Sequence, residues 1–406
     1  MTKNEKLLIS CSILFALASG MSAVFMNVFL YTYTGSLTVM AIYTCIRIGM
    51  FPFCFTLAGK AARKISYGIT MSLGLIFLFF QLFYVIGFNH LFALNSNLVF
   101  VAALLSGVGE GFYYLSVNTL NQLVTTPESR ADFLSISGIL SNISNVAAPL
   151  IATFIINLSG NDTDGYLNIF KIVLVVYAFI SILGLNIKAK GNMAKFSVLK
   201  SLTFQKDKQW RYILLTHFIY GFRDSLILSL TGILVYKATD GSGSFYGRLL
   251  SFFSLLTIIS YAFASRLIKK HNRIKYYTYG AIFTASTTVI LVLVPNIYGA
   301  LYFGIVNAIA STFYNIPFSI ITMNALSDYS KTENLAGRVI AKEAYLSLSR
   351  CLGMLFIVLC ERIFTGNSYL YISVLTLSIS PIILVIYSNF YHKKRNIKKL
   401  ATNKTS

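Results

Sequence analysis

Long apolar runs alternate with short polar connections along the whole chain. Each run has about twenty residues, the length of helix that crosses roughly 30 Å of hydrocarbon. Inside a membrane the backbone groups of such a run must bond within the segment, so each run predicts a helix. We predict twelve spans, at about residues 7–31, 38–59, 68–88, 97–121, 131–157, 168–187, 212–236, 247–267, 276–295, 298–324, 339–361 and 368–390.

The composition supports the same interpretation. Of 406 residues, 56% are hydrophobic and only 12% are charged. A soluble protein of this composition would lack the polar groups needed to cover its surface. We therefore expect an all-α, multi-pass membrane protein.

The positive charge is distributed by topology. With the amino terminus inside, 27 of the 34 Lys and Arg residues fall on one side of the membrane. Cytoplasmic loops carry such an excess. The net charge of +21 is thereby explained without nucleic acid as a partner. We expect both termini in the cytoplasm of a bacterial cell, and contacts between the basic segments and membrane lipids.

The two halves of the chain share short patterns in the same order. Tyr31-Thr-Tyr-Thr-Gly-Ser36 follows the first span, and Tyr236-Lys-Ala-Thr-Asp-Gly-Ser242 follows the seventh. Gly111-Phe-Tyr-Tyr114 in the fourth span corresponds to Thr312-Phe-Tyr-Asn315 in the tenth. We predict two six-helix bundles. They occupy residues 1–187 and 212–391, with a basic cytoplasmic linker at 188–211 and a basic cytoplasmic tail at 392–406.

The loop after the second span carries a partial family motif. It reads Gly59-Lys-Ala-Ala-Arg-Lys-Ile-Ser-Tyr-Gly68. With the two-bundle pattern, it resembles the major facilitator superfamily, whose loop there is G-x-x-x-D-[RK]-x-G-[RK]-[RK]. An arginine stands where the family has its acid. The resemblance implies a cytoplasmic gate formed by the residues at these loops, namely Gly59, Lys60, Arg63, Lys64, Arg130 and Arg338.

The fifth span resembles the signature of antiporter branches of that family, G-x8-G-x3-G-P-x2-G. Small residues stand at every glycine position and the proline is kept, as Ser135, Ser144, Ala148, Pro149 and Ala152. Small residues allow close helix approach, and proline permits a bend. The pattern favours an exporter. Ordinary packing of small residues is the alternative.

Six ionisable residues are candidates for a position near the middle of a predicted span. Such groups are costly in a membrane and usually face an internal cavity. They are Arg47, Glu110, His217, Arg223, Asp224 and Arg350. The family resemblance implies that the fourth and seventh spans line the cavity, which makes Glu110 and Asp224 the better cavity candidates.

In the seventh span, α-helical spacing places His217, Gly221, Asp224 and Thr231 on one face, interrupted by Leu228. The same spacing turns Arg223 about 100° away from Asp224. We therefore expect Arg223 to reach a neighbouring helix.

Two roles are open for these groups. Asp224 and Glu110 are candidates for proton carriers, with His217 as a relay. The alternative makes each carboxylate a structural partner of Arg223 or Arg47. The three arginines exceed the two carboxylates by one charge, which favours an anionic substrate group held by arginine. The predicted substrate contacts are Arg47, Arg223, Arg350, Tyr113, Tyr114, Tyr220 and Tyr314.

The predicted function is secondary active transport by alternating access. The sequence has no phosphate-binding loop of the ATPase type and no cluster with metal-ligand spacing. We therefore expect no cofactor, no metal and no enzymatic activity, with the proton gradient as the energy source. The expected protein is a monomeric exporter, a proton antiporter of a small amphipathic or anionic molecule, which includes a lipid-linked one. Proton-coupled uptake of an organic anion, and a membrane sensor or assembly partner that does not transport, are the alternatives.

Overall fold

The computed structural model describes residues 2–125, 130–188, 208–269, 271–327, 335–366 and 368–402. This part of the chain folds into helices and contains no strand. The first seven helices are α1 Lys3–Thr34, α2 Leu37–Gly49, α3 Phe51–Lys64, α4 Tyr67–Phe92, α5 Val99–Leu123, α6 Arg130–Leu158 and α7 Asp162–Leu185. The next eight are α8 Lys208–Leu226, α9 Gly232–Lys237, α10 Gly243–Leu267, α11 Arg273–Leu293, α12 Ile297–Ser327, α13 Leu335–Ile363, α14 Ser368–Ser378 and α15 Ser380–Thr402.

Eleven helical stretches of the described chain are long and apolar enough to cross a membrane. Each lies at one of the twelve predicted spans. At the remaining position, the fifth, helix α6 contains the shorter apolar stretch Ile143–Leu158. The prediction of an all-α membrane protein is confirmed.

Several predicted spans are interrupted helices. The second consists of α2 and α3, and Pro52 lies in the first turn of α3, where a missing N–H costs nothing. The twelfth breaks between α14 and α15, just before Pro381, because a proline removes one helical hydrogen bond. The seventh consists of α8 and α9, with a π-helical turn at Ile227–Thr231 between them.

The described chain divides into two compact units, which we call unit 1 and unit 2. Unit 1 comprises Met1–Lys195 and Leu228–Leu255, and unit 2 comprises Phe196–Ile227 and Leu256–Ser406. The predicted linker at 188–211 lies almost entirely outside the described residues. The two six-helix bundles with that linker therefore stay a prediction.

Unit 1 is held together by close helix packing. A Cβ atom on Gly74 of α4 would lie 2.7 Å from the carbonyl oxygen of Gly109 on α5. A Cβ on Gly20 of α1 would lie 2.8 Å from that of Ala148 on α6. Such contacts require a glycine on one side. Ala148, one of the small residues of the fifth span, thus lies at a close contact between α1 and α6. The contact is compatible with both interpretations of that pattern, so the exporter stays a prediction.

The later segment of unit 1, Leu228–Leu255, is tied to the first helices by polar contacts. Asn27 Nδ2 of α1 donates to the carbonyl oxygen of Leu228 at 3.2 Å. Asp162 Oδ2, in the first turn of α7, accepts from the backbone N–H of Gly243 at 2.6 Å. This carboxylate satisfies a backbone donor at the start of α10, where a negative charge is favoured.

Unit 2 is built around the packing of α8 on α13. Gly221 allows this approach, since a Cβ there would lie 2.8 Å from the carbonyl oxygen of Leu346. Next to this contact, stacked rings from α8, α11 and α12 fill the interior. Tyr220 and Tyr314 have ring centroids 5.8 Å apart, and Tyr277 lies 5.4 Å from Tyr314.

Candidate functional site

Unit 1 contains a partly open cavity of about 490 Å³. Helices α1, α2, α4, α5, α6 and α7 all contribute to its wall, which combines aromatic rings with hydroxyl and amide groups. The wall includes Tyr43, Arg47, Gln81, Glu110, Tyr114 and Asn118. Its size suits a small molecule.

The charged part of this wall is an ion pair between α2 and α5. The two helices meet at Gly107, where a Cβ atom would lie only 2.5 Å from the carbonyl oxygen of Arg47. Glu110 lies one turn further along α5, and its Oε1 is 3.7 Å from Arg47 Nη1. Ser106 Oγ also donates to Glu110 Oε1, at 3.2 Å. The carboxylate therefore has one hydroxyl donor and a loosely held guanidinium.

Both members of this pair keep access to the cavity. Their side chains are 13% and 18% exposed, for Arg47 and Glu110 respectively. Arg47 Nε has no hydrogen-bond partner among the described residues. The guanidinium thus keeps one buried donor unused, while Arg47 itself lines the cavity.

Tyr113 and Tyr114 also line the cavity. The Tyr113 ring stacks on Phe15 of α1, with centroids 3.6 Å apart, while Tyr114 meets Phe15 edge-on at 5.7 Å. Tyr113 is therefore fixed by ring packing. Tyr114 is 39% exposed, so it presents more of its ring and hydroxyl.

Sequence reasoning did not select all the residues of this wall. Gln81 of α4 and Tyr177 of α7 both contribute, although the third and sixth spans carry no ionisable residue near them. A lone glutamine in an apolar run was the available signal for Gln81, because an amide in a membrane needs a polar partner.

The second ion pair lies in unit 2. Arg350 of α13 donates to Asp224 of α8 through Nε at 2.7 Å and through Nη2 at 2.5 Å. Both donors meet the same carboxylate oxygen. The interpretation that Asp224 pairs with Arg223 is wrong, because the close packing of α8 and α13 brings Arg350 to it instead.

Each ion pair joins two helices of the same unit. Arg47 and Glu110 are both in unit 1, and Asp224 and Arg350 are both in unit 2. The interpretation that these pairs hold the two halves together therefore finds no support. Of the two predicted pairings, the structure contains that of Glu110 with Arg47.

Arg223 points away from Asp224, as the helical spacing predicts. Its Nη2 donates to Asn307 Oδ1 of α12 at 2.7 Å and to Thr287 Oγ1 of α11 at 3.4 Å. Its expected reach to neighbouring helices is confirmed.

His217 and Tyr220 lie on α8 among rings and amides. His217 Nδ1 is 2.8 Å from the carbonyl oxygen of Ile213, and the imidazole packs against Phe318 with centroids 5.0 Å apart. Tyr220 donates to Asn315 Oδ1 at 3.1 Å. The α-helical spacing behind the predicted polar stripe holds only to the end of α8, because a π-helical turn begins at Ile227, so counting does not place Thr231 on the face of His217.

The predicted gate residues are only partly described. Gly59 is buried near the end of α3, while Lys60 and Lys64 are exposed. The Arg338 guanidinium lies over the Trp210 ring, 4.9 Å from its centroid. The side chains of Arg63 and Arg130 lie outside the described residues, so the gate stays a prediction.

Known proteins resemble the chain over nearly its whole length. The model of the Major Facilitator Superfamily matches residues 8–353. The uncharacterized protein YqgE of Bacillus subtilis (strain 168) is 27% identical over 390 residues, which are 94% of this chain and 88% of that protein.

Two solved transporter structures have the same fold at low identity. The nucleoside transporter NupG is 14% identical with a TM-score of 0.70, and the match covers 96% of this chain and 99% of that one. The D-xylose-proton symporter is 12% identical with a TM-score of 0.70, covering 94% and 96% of the two chains. At this identity, the likeness shows a shared fold, that is, the same arrangement of helices.

Proposed function

The chain belongs to the major facilitator superfamily, and from that premise we propose that it is a proton-coupled secondary transporter of a small anionic or hydroxyl-rich molecule. The observation that carries the proposal is the Arg47–Glu110 pair in the wall of the unit 1 cavity. Alternating access would present this cavity to the two sides of the membrane in turn.

The pair couples a proton to a substrate by charge. While Glu110 is ionised, it competes for the Arg47 guanidinium. Protonation of Glu110 removes that competitor, so Arg47 is free to hold a carboxylate, a phosphate or a hydroxyl group of the substrate. By linkage, a bound anion in turn favours the protonated Glu110. Proton and substrate therefore load together.

The rest of the wall supports this substrate class. Gln81, Asn118 and the hydroxyl of Tyr43 offer hydrogen bonds around the pair, and Tyr114 offers a ring face. A small molecule with one acidic or polar group matches both the hydrogen-bonding groups and the ring face. The acidic head of a lipid-linked molecule has the same chemistry and belongs to the same proposal.

Because the proton and the substrate bind together in this scheme, it favours uptake by symport. The D-xylose-proton symporter, with the same fold, bears that activity in its name. Export by proton antiport is the second candidate. It rests on the small residues of α6, and it requires a substrate that competes with the proton for Glu110.

The first experiment separates these two candidates by pH. The purified protein is screened by thermal unfolding against organic acids, sugar phosphates, sugars, nucleosides and organic cations at pH 5.5 and about two units higher. Symport predicts that anionic or hydroxyl-rich ligands stabilise the protein more at the lower pH. Antiport predicts a ligand, cationic above all, that stabilises it more at the higher pH.

Transport is then measured in proteoliposomes that contain a pH-sensitive dye. The best ligand should carry protons inward with it, and an imposed proton gradient should drive its accumulation. Tight binding with no flux, in vesicles where the protein is shown to be inserted and folded, would favour the sensor or assembly partner.

A further inference from the structure

Unit 2 contains a buried arginine that has no carboxylate partner among the described residues. This residue, Arg223, is only 8% exposed. Its Nη2 donates to two neutral oxygens, on Asn307 and Thr287. Asp224, the next residue, uses its close contacts on Arg350.

The guanidinium of Arg223 also has a donor to spare. Its Nε is buried and has no hydrogen-bond partner in the described chain. Thr284, one helical turn before Thr287 on α11, is fully buried, and its hydroxyl likewise lacks a partner among these residues. A buried cation, and a buried hydroxyl one helical turn from the threonine that this cation contacts, thus each have unused hydrogen-bonding capacity.

An unneutralised charge in a membrane interior is strongly unfavourable, and hydrogen bonds to neutral groups compensate only part of it. The other two arginines predicted near mid-membrane, Arg47 and Arg350, each have a carboxylate. Of these three arginines, Arg223 is the one that lacks a carboxylate partner among the described residues. We propose that unit 2 binds a monovalent anion at Arg223, and that this anion is the missing counter-ion of the guanidinium.

Two sources could supply this anion. One is a small inorganic ion such as chloride, and the other is a carboxylate of a small organic acid. Both would accept from Arg223 Nε and from a threonine hydroxyl. Arg223 belongs to unit 2, whereas Arg47 and Glu110 belong to unit 1. A variant at Arg223 or Asn307 therefore keeps both members of that pair, and a failure of this proposal does not remove the observation behind the proposed function.

The structure offers a substitution that replaces the anion. Asn307→Asp would put a fixed carboxylate where the amide oxygen now lies, 2.7 Å from Arg223 Nη2, with almost no change in volume. The protein would then supply its own counter-ion. Asn315→Asp is the matched control, because Asn315 lies two turns further along α12 and bonds to Tyr220 instead.

The test is thermal unfolding of the full-length protein at constant ionic strength, while sodium gluconate is replaced by sodium chloride, bromide or formate. For the wild type we expect a saturable rise of about 2–4 °C in Tm with at least one of these anions. The Asn315→Asp variant should keep this response. The Asn307→Asp variant should lose it, with a Tm in gluconate at or above that of the wild type.

The anions distinguish the sources, since a response to chloride or bromide indicates an inorganic ion and a response to formate alone indicates an organic acid. An Arg223→Gln variant, where it folds, should be insensitive to all three. A wild type that responds to none of them would overturn the proposal. So would a response that persists in Asn307→Asp, because the anion would then bind elsewhere.

Discussion

The two intramembrane ion pairs have the same chemistry but different geometry. In unit 1 the closest approach of Arg47 and Glu110 is 3.7 Å, and the pair lines a cavity. In unit 2, Arg350 donates twice to one oxygen of Asp224, at 2.7 and 2.5 Å. Side-chain exposure does not distinguish them, because three of the four side chains are 18% exposed and Arg47 is 13% exposed.

The difference lies in what each pair has left to offer. Asp224 is engaged by two charge-assisted hydrogen bonds, which favours a structural role in joining α8 to α13. Glu110 has a hydroxyl donor and a distant guanidinium, so a proton or a ligand can change its partner at lower cost. We propose on this basis that Glu110 carries the proton, and that Asp224 stabilises unit 2.

The largest expected effect is on coupling, from Glu110→Gln. For the ligand found by screening, we expect the wild-type affinity to change roughly tenfold between the two pH values. Glutamine cannot be ionised, so the variant should bind equally at both, and a proton gradient should no longer drive accumulation. Ligand titrations at both pH values check this. A variant that retains the pH dependence would assign the proton to another group.

The second prediction concerns the carboxylate of the other ion pair. Asp224→Asn should lower the stability of the protein. It leaves Arg350 without its carboxylate, at a cost of about 3–5 kcal/mol in unfolding free energy. Glu110→Gln, its matched control, should cost less than about 1 kcal/mol, because that pair is loose. Thermal and denaturant unfolding in the same detergent compares them. Equal losses would show that geometry does not separate the two pairs.

The third prediction concerns the packing that positions the loose pair. Gly107→Ala would place a methyl group 2.5 Å from the Arg47 carbonyl oxygen, so α2 and α5 must move apart. We expect a loss of about 1–3 kcal/mol and a weaker ligand affinity. Gly87→Ala on α4 is the control, since no atom lies within 4 Å of a Cβ there. Wild-type affinity in Gly107→Ala would contradict a role of this contact in the site.

The smallest expected effect comes from a carboxylate that has a backbone partner. Asp162 accepts from the N–H of Gly243. Asp162→Ala should therefore cost about 0.5–2 kcal/mol, as the loss of a helix cap does. Asp162→Asn, which keeps the acceptor, should cost less. Unfolding free energies of both variants allow the contributions of the two ion pairs to be compared with that of a simple helix cap. A larger loss of unfolding free energy in Asp162→Ala than in Asp224→Asn would contradict the order of effects proposed above.

Much of the architecture follows from the order of residues along the chain. Apolar runs of membrane length predict helices, because a lipid environment leaves the backbone no other partners. Helical spacing alone also predicts that Arg223 and Asp224 diverge, since adjacent side chains differ by about 100°. The described structure confirms both conclusions.

The prediction of helix faces from residue spacing failed where the helix is not regular. The π-helical turn at Ile227–Thr231 changes the angle between successive residues, so Thr231 cannot be assigned to the face of His217 by counting. Nothing in the apolar sequence Ile227-Leu-Ser-Leu-Thr231 distinguishes it from an ordinary helical turn.

The choice of partners is decided by tertiary structure. Asp224 has an arginine beside it in sequence, yet it bonds to Arg350, 126 residues away, because Gly221 lets α13 pack against α8. Glu110 meets Arg47 because Gly107 brings α5 against α2. The sequence alone determined which side chains are charged inside the membrane and roughly where. Which oppositely charged group each one meets depends on close contacts between distant helices, and no periodicity along one helix contains that information.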